Sequence, residues 1–64
     1  MKEKIEALIA TYNEQLAEYQ QLVADAENRG LDNLNYEETE DYGAYSGSVN
    51  VLERVIADLK NLLE

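Results

Sequence analysis

Apolar and aromatic residues recur along the first half of the chain at alternating intervals of four and three residues. They are Ile5, Ile9, Tyr12, Leu16, Tyr19, Val23 and Ala26. This spacing places all of them on one stripe of an α-helix, the seam of a helix that packs lengthwise against another. The pattern predicts a first helix over about residues 2–28.

The second half of the chain carries the same pattern, beginning with an interval of three. Its seam residues are Tyr42, Tyr45, Val49, Leu52, Ile56, Leu59 and Leu63. Asn35 is a favourable N-cap residue and Glu38 stands three positions later, which is the arrangement of a capping box. These signals predict a second helix over about 36–63.

The predicted connection between the helices, 29–35, is short. Gly30 predicts a Schellman turn, in which a left-handed glycine ends the first helix and Leu31 folds back onto its last turn. A connection of this length joining two helices of about 42 Å requires them to run antiparallel. We therefore predict one all-α domain over residues 1–64, a coiled-coil-like antiparallel hairpin.

The two seams also match each other when the hairpin is closed. If residues whose numbers sum to about 65 lie opposite each other, Ile9 faces Ile56 and Tyr19 faces Tyr45. The other seam residues between Ile5 and Val23 likewise meet an apolar residue of the second seam. Because neither half was chosen to match the other, this agreement supports the hairpin beyond the two helix predictions.

Two glycines, Gly43 and Gly47, stand inside the second predicted helix, where each costs about 1 kcal/mol relative to alanine. Close approach of a partner helix or of a tyrosine ring would compensate this cost. The alternatives are a kink, or a break after which Ser46 or Ser48 caps a shorter final helix. We favour the continuous helix.

A second set of apolar residues lies beside the seams, where one hairpin cannot cover it. A chain this short buries only about 60% of its surface, and it has no cysteine or histidine for a disulfide or a typical metal site. We predict that two hairpins pair into a homodimeric four-helix bundle. A groove for a foreign helix is the alternative. The predicted interface residues are Leu8, Gln15, Leu22, Ser48, Val55 and Leu62, with Val51 beside them.

Negative charge is concentrated in one part of the chain. The formal net charge is −9, and residues 14–53 hold ten acids against the single base Arg29, whereas the rest is neutral. Such charge repels nucleic acid and anionic lipid, so we predict no direct nucleic-acid or membrane binding. A protein with a basic surface is the natural partner.

The densest acids surround the start of the second helix, and Asp25 and Glu27 lie across the hairpin from them. Several carboxylates here have spacings comparable to those of phosphates, so a nucleic-acid-binding protein could accept them in place of DNA. The alternative is that these acids cap the helix and aid solubility. The predicted partner-binding residues are Asp32, Tyr36, Glu37, Glu38, Glu40 and Asp41.

Residues that carry catalysis or bind metals are few. There is no His, no Cys and no Gly-rich phosphate loop, so we predict a protein that is not an enzyme and has no cofactor. Residues 32–37 resemble a calcium loop only superficially, because Leu34 and Glu37 stand where a ligand and a glycine are needed. No apolar run or signal peptide is evident, and we expect a cytoplasmic protein.

Part of the second half resembles a known class of proteins. The residues concerned are Tyr42-Gly43-Ala44-Tyr45-Ser46-Gly47 and, further on, Val51-Leu52-Glu53-Arg54-Val55-Ile56-Ala57-Asp58-Leu59. They resemble the C-terminal half of small proteins encoded by phages and prophages of Gram-positive bacteria. The resemblance implies an inhibitor or adaptor that blocks a host or defence protein, and it assigns no role to an individual residue.

Overall fold

The computed structural model describes all residues, Met1–Glu64, and consists of two long helices joined by a tight connection. Helix α1 spans Lys2–Arg29, a 3-10 turn spans Leu31–Asn33, and helix α2 spans Tyr36–Leu63. The two α-helices pack against each other along their length. The all-helical prediction with two mutually packed helices is confirmed.

The hairpin is a thin rod, with extents of 46 × 15 × 14 Å and a radius of gyration of 14.4 Å. A compact chain of this length would have a radius of gyration of about 11 Å. Because the rod is only two helices thick, it has almost no interior. Only Leu52 and Ile56 are fully buried, with 9% and 5% of their surface exposed.

The seams meet as their spacing predicts. The rings of Tyr19 and Tyr45 lie 5.9 Å apart between centroids, tilted by 33°, which is a favourable separation for an aromatic pair. Every seam residue is partly or fully buried, whereas most other positions are exposed. The contact between the helices therefore follows the two heptad stripes.

The start of α2 has the predicted capping box. The Asn35 side chain accepts a hydrogen bond from the Glu38 backbone N–H at 2.8 Å, and the Asn35 N–H donates to Glu38 Oε1 at 3.2 Å. Thr39 Oγ1 also donates to the Asn35 carbonyl, at 2.9 Å. Orphan donors at the helix start are thus satisfied within the chain.

The end of α1 differs from the predicted Schellman turn. Gly30 has the expected positive φ of 88°, but its ψ of 124° is extended rather than left-handed helical. The chain therefore leaves the helix axis, and Leu31 stays half exposed instead of folding back. The Asn33 side-chain amide caps α1 by donating to the Arg29 carbonyl at 2.8 Å. That prediction was wrong because a side chain supplies the cap.

Helix α2 continues without a break through Gly43 and Gly47. A methyl group at either glycine would meet no heavy atom within 4 Å. Both glycines therefore have open space beside them, and no tyrosine ring packs on them. Close packing inside the hairpin is therefore not the reason for these glycines.

Candidate protein interaction surfaces

The two flanks of the hairpin differ in chemistry. The groove between the helices on one flank is lined by Gln15, Tyr19, Ala44, Gly47, Ser48, Val51 and Leu52. The groove on the opposite flank is lined by Gln20, Val23, Glu27, Ser46, Val49 and Asn50. We call the second the polar flank. The first belongs to a longer surface, the apolar face, made of Leu8, Gln15, Leu22, Ala44, Ser48, Val51, Val55 and Leu62.

The apolar face is open along its length. Val51 is 59% exposed and Leu62 is 69% exposed, and Leu8 and Leu22 are exposed to 45% and 41%. Gln15 is exposed too, whereas Ser48 and Val55 are partly buried at the edge of the seam. An exposed apolar strip of this length is typical of a surface that binds another protein.

The structure adds residues to the interface predicted from sequence. Gln15 and Ser48, on different helices, line the same groove, and so do Ala44, Gly47 and Val51. The 44–48–51–55 spacing is a second heptad stripe beside the α2 seam, and this signal was available in the sequence. Gly47 was considered only for the close approach of a helix or a tyrosine ring, and Ala44 was left out of the predicted interface, because small residues carry little weight in an apolar pattern.

The acidic end is the loop-proximal part of the hairpin, formed by Asp32, Tyr36, Glu37, Glu40 and Asp41. All five residues are exposed, and Tyr36 has 79% of its surface open. Asp41 lines a groove together with Asp25, across the hairpin, and with Leu22. Glu27 lies on the polar flank instead. The carboxylates therefore surround this end of the rod rather than forming one flat patch.

Glu38 differs from the other acids because its carboxylate is already engaged. Arg29 donates a charged hydrogen bond to it, and the side chain is 31% exposed. This bond, followed by the hydrogen bond from the Asn35 backbone, lowers the pKa of Glu38 below the ordinary glutamate value. Glu38 thus ties the end of α1 to the start of α2 and is less available to a partner than its neighbours.

Glu38→Gln should destabilise the hairpin near neutral pH but not in acid. Glutamine still suits the capping box, so the variant loses mainly the charge. Because the folded-state pKa is lowered, this stabilisation is complete above the unfolded value of about 4.3 and disappears as the pH falls through the folded value. Urea unfolding of both proteins from pH 7 to pH 2.5 measures the difference. A difference that persists at pH 2.5 would show a steric effect of the substitution.

No protein-family model matches the chain, and no curated protein or solved structure is significantly similar to it. Neither helix has a stretch long and apolar enough to cross a membrane. No group of three or more His, Cys, Asp or Glu side chains could hold a metal ion. Two surfaces of the hairpin bear on its function, the apolar face and the acidic end.

Proposed function

We propose that the protein is a non-enzymatic binding module, an inhibitor or adaptor that engages a basic protein through its acidic end. The observation that carries this proposal is the charge polarity of the rod. Residues 14–53 contain the whole net charge of −9, and the carboxylates of the acidic end are exposed. The apolar face pairs two hairpins into a homodimeric four-helix bundle, which acts as the scaffold.

The acidic end suits a partner that recognises closely spaced negative charge. Tyr36 and Glu40 are one helical turn apart on the outer side of α2, so an aromatic ring and a carboxylate share one stripe. Tyrosine supplies contact area at low entropic cost, and the carboxylates supply steering and orientation. We propose that the partner is a nucleic-acid-binding or defence protein in the cytoplasm, and that the acidic end binds it by mimicking DNA. This partner class agrees with the resemblance to phage-encoded proteins.

A second candidate function is a structural or assembly protein that binds partner helices through the apolar face. The exposure of Val51 and Leu62 favours it, because a rod with an open apolar strip can be incorporated into a larger helical assembly. In that case the acids contribute only solubility. The two functions make opposite predictions about salt and about neutralised acids.

The test compares two variants that remove three negative charges each, at opposite ends of the rod. Asp32→Asn, Glu37→Gln and Glu40→Gln neutralise the acidic end and leave Glu38 and its capping box intact. Glu3→Gln, Glu6→Gln and Glu64→Gln are the matched control. Captured proteins from a bacterial lysate are quantified at low and high salt, after circular dichroism has shown equal helix content.

We expect the wild type and the control variant to capture the partner at low salt and to lose it at high salt. The variant with a neutralised acidic end should capture at least tenfold less of it. The fall reflects the loss of three charges that face the partner. Equal, salt-insensitive capture by all three proteins would assign binding to the apolar face and refute the role of the acidic end.

A further inference from the structure

We propose that a second copy of this chain covers the apolar face with its hairpin reversed, so that the two acidic ends lie at opposite ends of the bundle. This inference rests on the homodimer in the proposed function and specifies the surface and orientation that it uses. In this arrangement α1 packs on α1 of the second copy, and α2 packs on α2. Each pair of helices runs antiparallel about a two-fold axis across the middle of the rod.

The area of the hairpin supports a second copy as the occupant. The accessible surface is 4904 Å², whereas a folded monomer of 7.3 kDa is expected to expose about 4,200 Å². The excess of about 700 Å² is close to the roughly 800 Å² that each partner buries in a standard interface. With only two residues fully buried, the hairpin lacks the core that one more layer of helices would supply.

The residues of the apolar face complement each other when one hairpin is reversed. Measured from the middle of α1, Leu22 lies about 10 Å toward the loop and Leu8 about 11 Å toward the chain ends. Reversal therefore sets Leu22 against Leu8 of the second copy. On α2 it sets Ala44, about 8 Å toward the loop, against Val55, about 8 Å the other way. A small residue thus faces a large one.

Polar and small residues fall where the reversed helices cross the two-fold axis. Gln15 lies within about 1 Å of the middle of α1, so it meets Gln15 of the second copy and the two amides can hydrogen-bond. On α2, Ser48 meets Val51. Gly47 borders the same groove and has open space where a Cβ would be, which permits close approach of the second α2. Gly47 has no packing role inside the hairpin, which is consistent with a packing role between the two copies.

Net charge decides between this orientation and the one with both loops at the same end. Hairpins with their loops together would place two regions of charge −9 side by side. Glu37, Glu40 and Asp41 lie on average about 15 Å from the middle of α2, so reversal moves the two acidic ends about 30 Å apart along the rod, nearly four Debye lengths at physiological salt. A few contacts at the rim favour the other orientation. With the loops together, Lys4 of one copy would meet Asp58 of the other, whereas reversal places Asp58 near Asp41 of the second copy. Exposed pairs of this kind are individually weak, so the sum over the acidic ends prevails.

Cysteine cross-linking tests the orientation with purified protein and no other partner. The chain has no cysteine, so single-cysteine variants can be linked only between copies. Three are needed besides Gln15→Cys: Leu8→Cys, Leu22→Cys and Val55→Cys. Variants are mixed in pairs, unfolded, refolded together and treated with a short bis-maleimide, and wild type is the control.

The reversed orientation is expected to link Gln15→Cys to itself and Leu8→Cys to Leu22→Cys, each at least tenfold faster than Leu8→Cys to Val55→Cys. Preferential linking of Leu8→Cys to Val55→Cys would overturn it, because these residues face each other only when the loops lie together. No linking, with a monomer mass in solution, would overturn the second copy as occupant. Capture of a partner through the acidic end is measured in a separate experiment. The dimer proposal and the proposed function can therefore fail independently of each other.

A charge reversal provides a second measurement that does not depend on cysteine. Asp58→Lys would meet Asp41 of the second copy in the reversed bundle but Lys4 in the alternative. We expect it to tighten dimerisation several-fold relative to Glu53→Lys, which changes the net charge equally. A weaker dimer than that of Glu53→Lys would contradict the reversed orientation.

Discussion

Ile56→Ala is expected to unfold most of the hairpin or to lower its melting temperature by at least about 10 °C. Ile56 is the most buried residue, only 5% exposed, and is one of two that form the core. Removing three carbons from such a site typically lowers the free energy of unfolding by about 2–5 kcal/mol. Each kcal/mol lowers the melting temperature of so small a domain by about 4–8 °C. Thermal melts followed by circular dichroism measure the change.

Leu31→Ala is the matched control for this prediction. Leu31 is half exposed in the 3-10 turn and lies outside both the seam and the apolar face. Its substitution should shift the melting temperature by no more than a few degrees, because surface changes stay within about 0.5 kcal/mol. If Ile56→Ala melted like Leu31→Ala, the stability of the protein would have to come from contacts other than the α1–α2 seam.

Val51→Asp is expected to convert the protein from dimer to monomer, to lower its melting temperature and to remove the dependence of that temperature on protein concentration. Inside one hairpin the change costs little, because Val51 is 59% exposed. In the proposed bundle the aspartate would be buried between two copies, beside Ser48 but with no positive charge to pair with, which is strongly unfavourable. Because the monomer has so small a core, its separation from the second copy should also reduce its stability. Analytical ultracentrifugation across a concentration series measures the oligomeric state, and thermal melts at the same concentrations measure the melting temperature.

Asn50→Asp adds the same charge at the neighbouring position and separates this effect from general repulsion. Asn50 lies on the polar flank, in the groove opposite the apolar face, so its substitution should leave the dimer intact. If both variants dissociated equally, repulsion by net charge would be the cause. If neither did, the apolar face would not be the dimer interface.

Local signals in the chain predict the architecture well. The seams require only the helical period and the apolar residues, and the capping box requires only Asn35 and Glu38 at the correct spacing. Both are short-range features, so they depend only on residues that are near each other in the chain. The prediction of a Schellman turn at Gly30 was wrong. The ψ angle of Gly30 depends on the direction that the chain takes next and on the side-chain amide of Asn33, which donates to the end of α1.

The amino-acid order alone thus specifies two helices of equal length, their antiparallel packing and the concentration of negative charge near the loop. The contacts of the residues beside the seams could be identified only from the folded chain, because they depend on how each helix is rotated about its axis. That rotation places Asp25 and Glu27 on opposite flanks, although the sequence predicted both across the hairpin from the densest acids. It also leaves open space beside Gly43 and Gly47. The pairing of Glu38 with Arg29 likewise depends on the path of the connection, which brings the end of α1 and the start of α2 together.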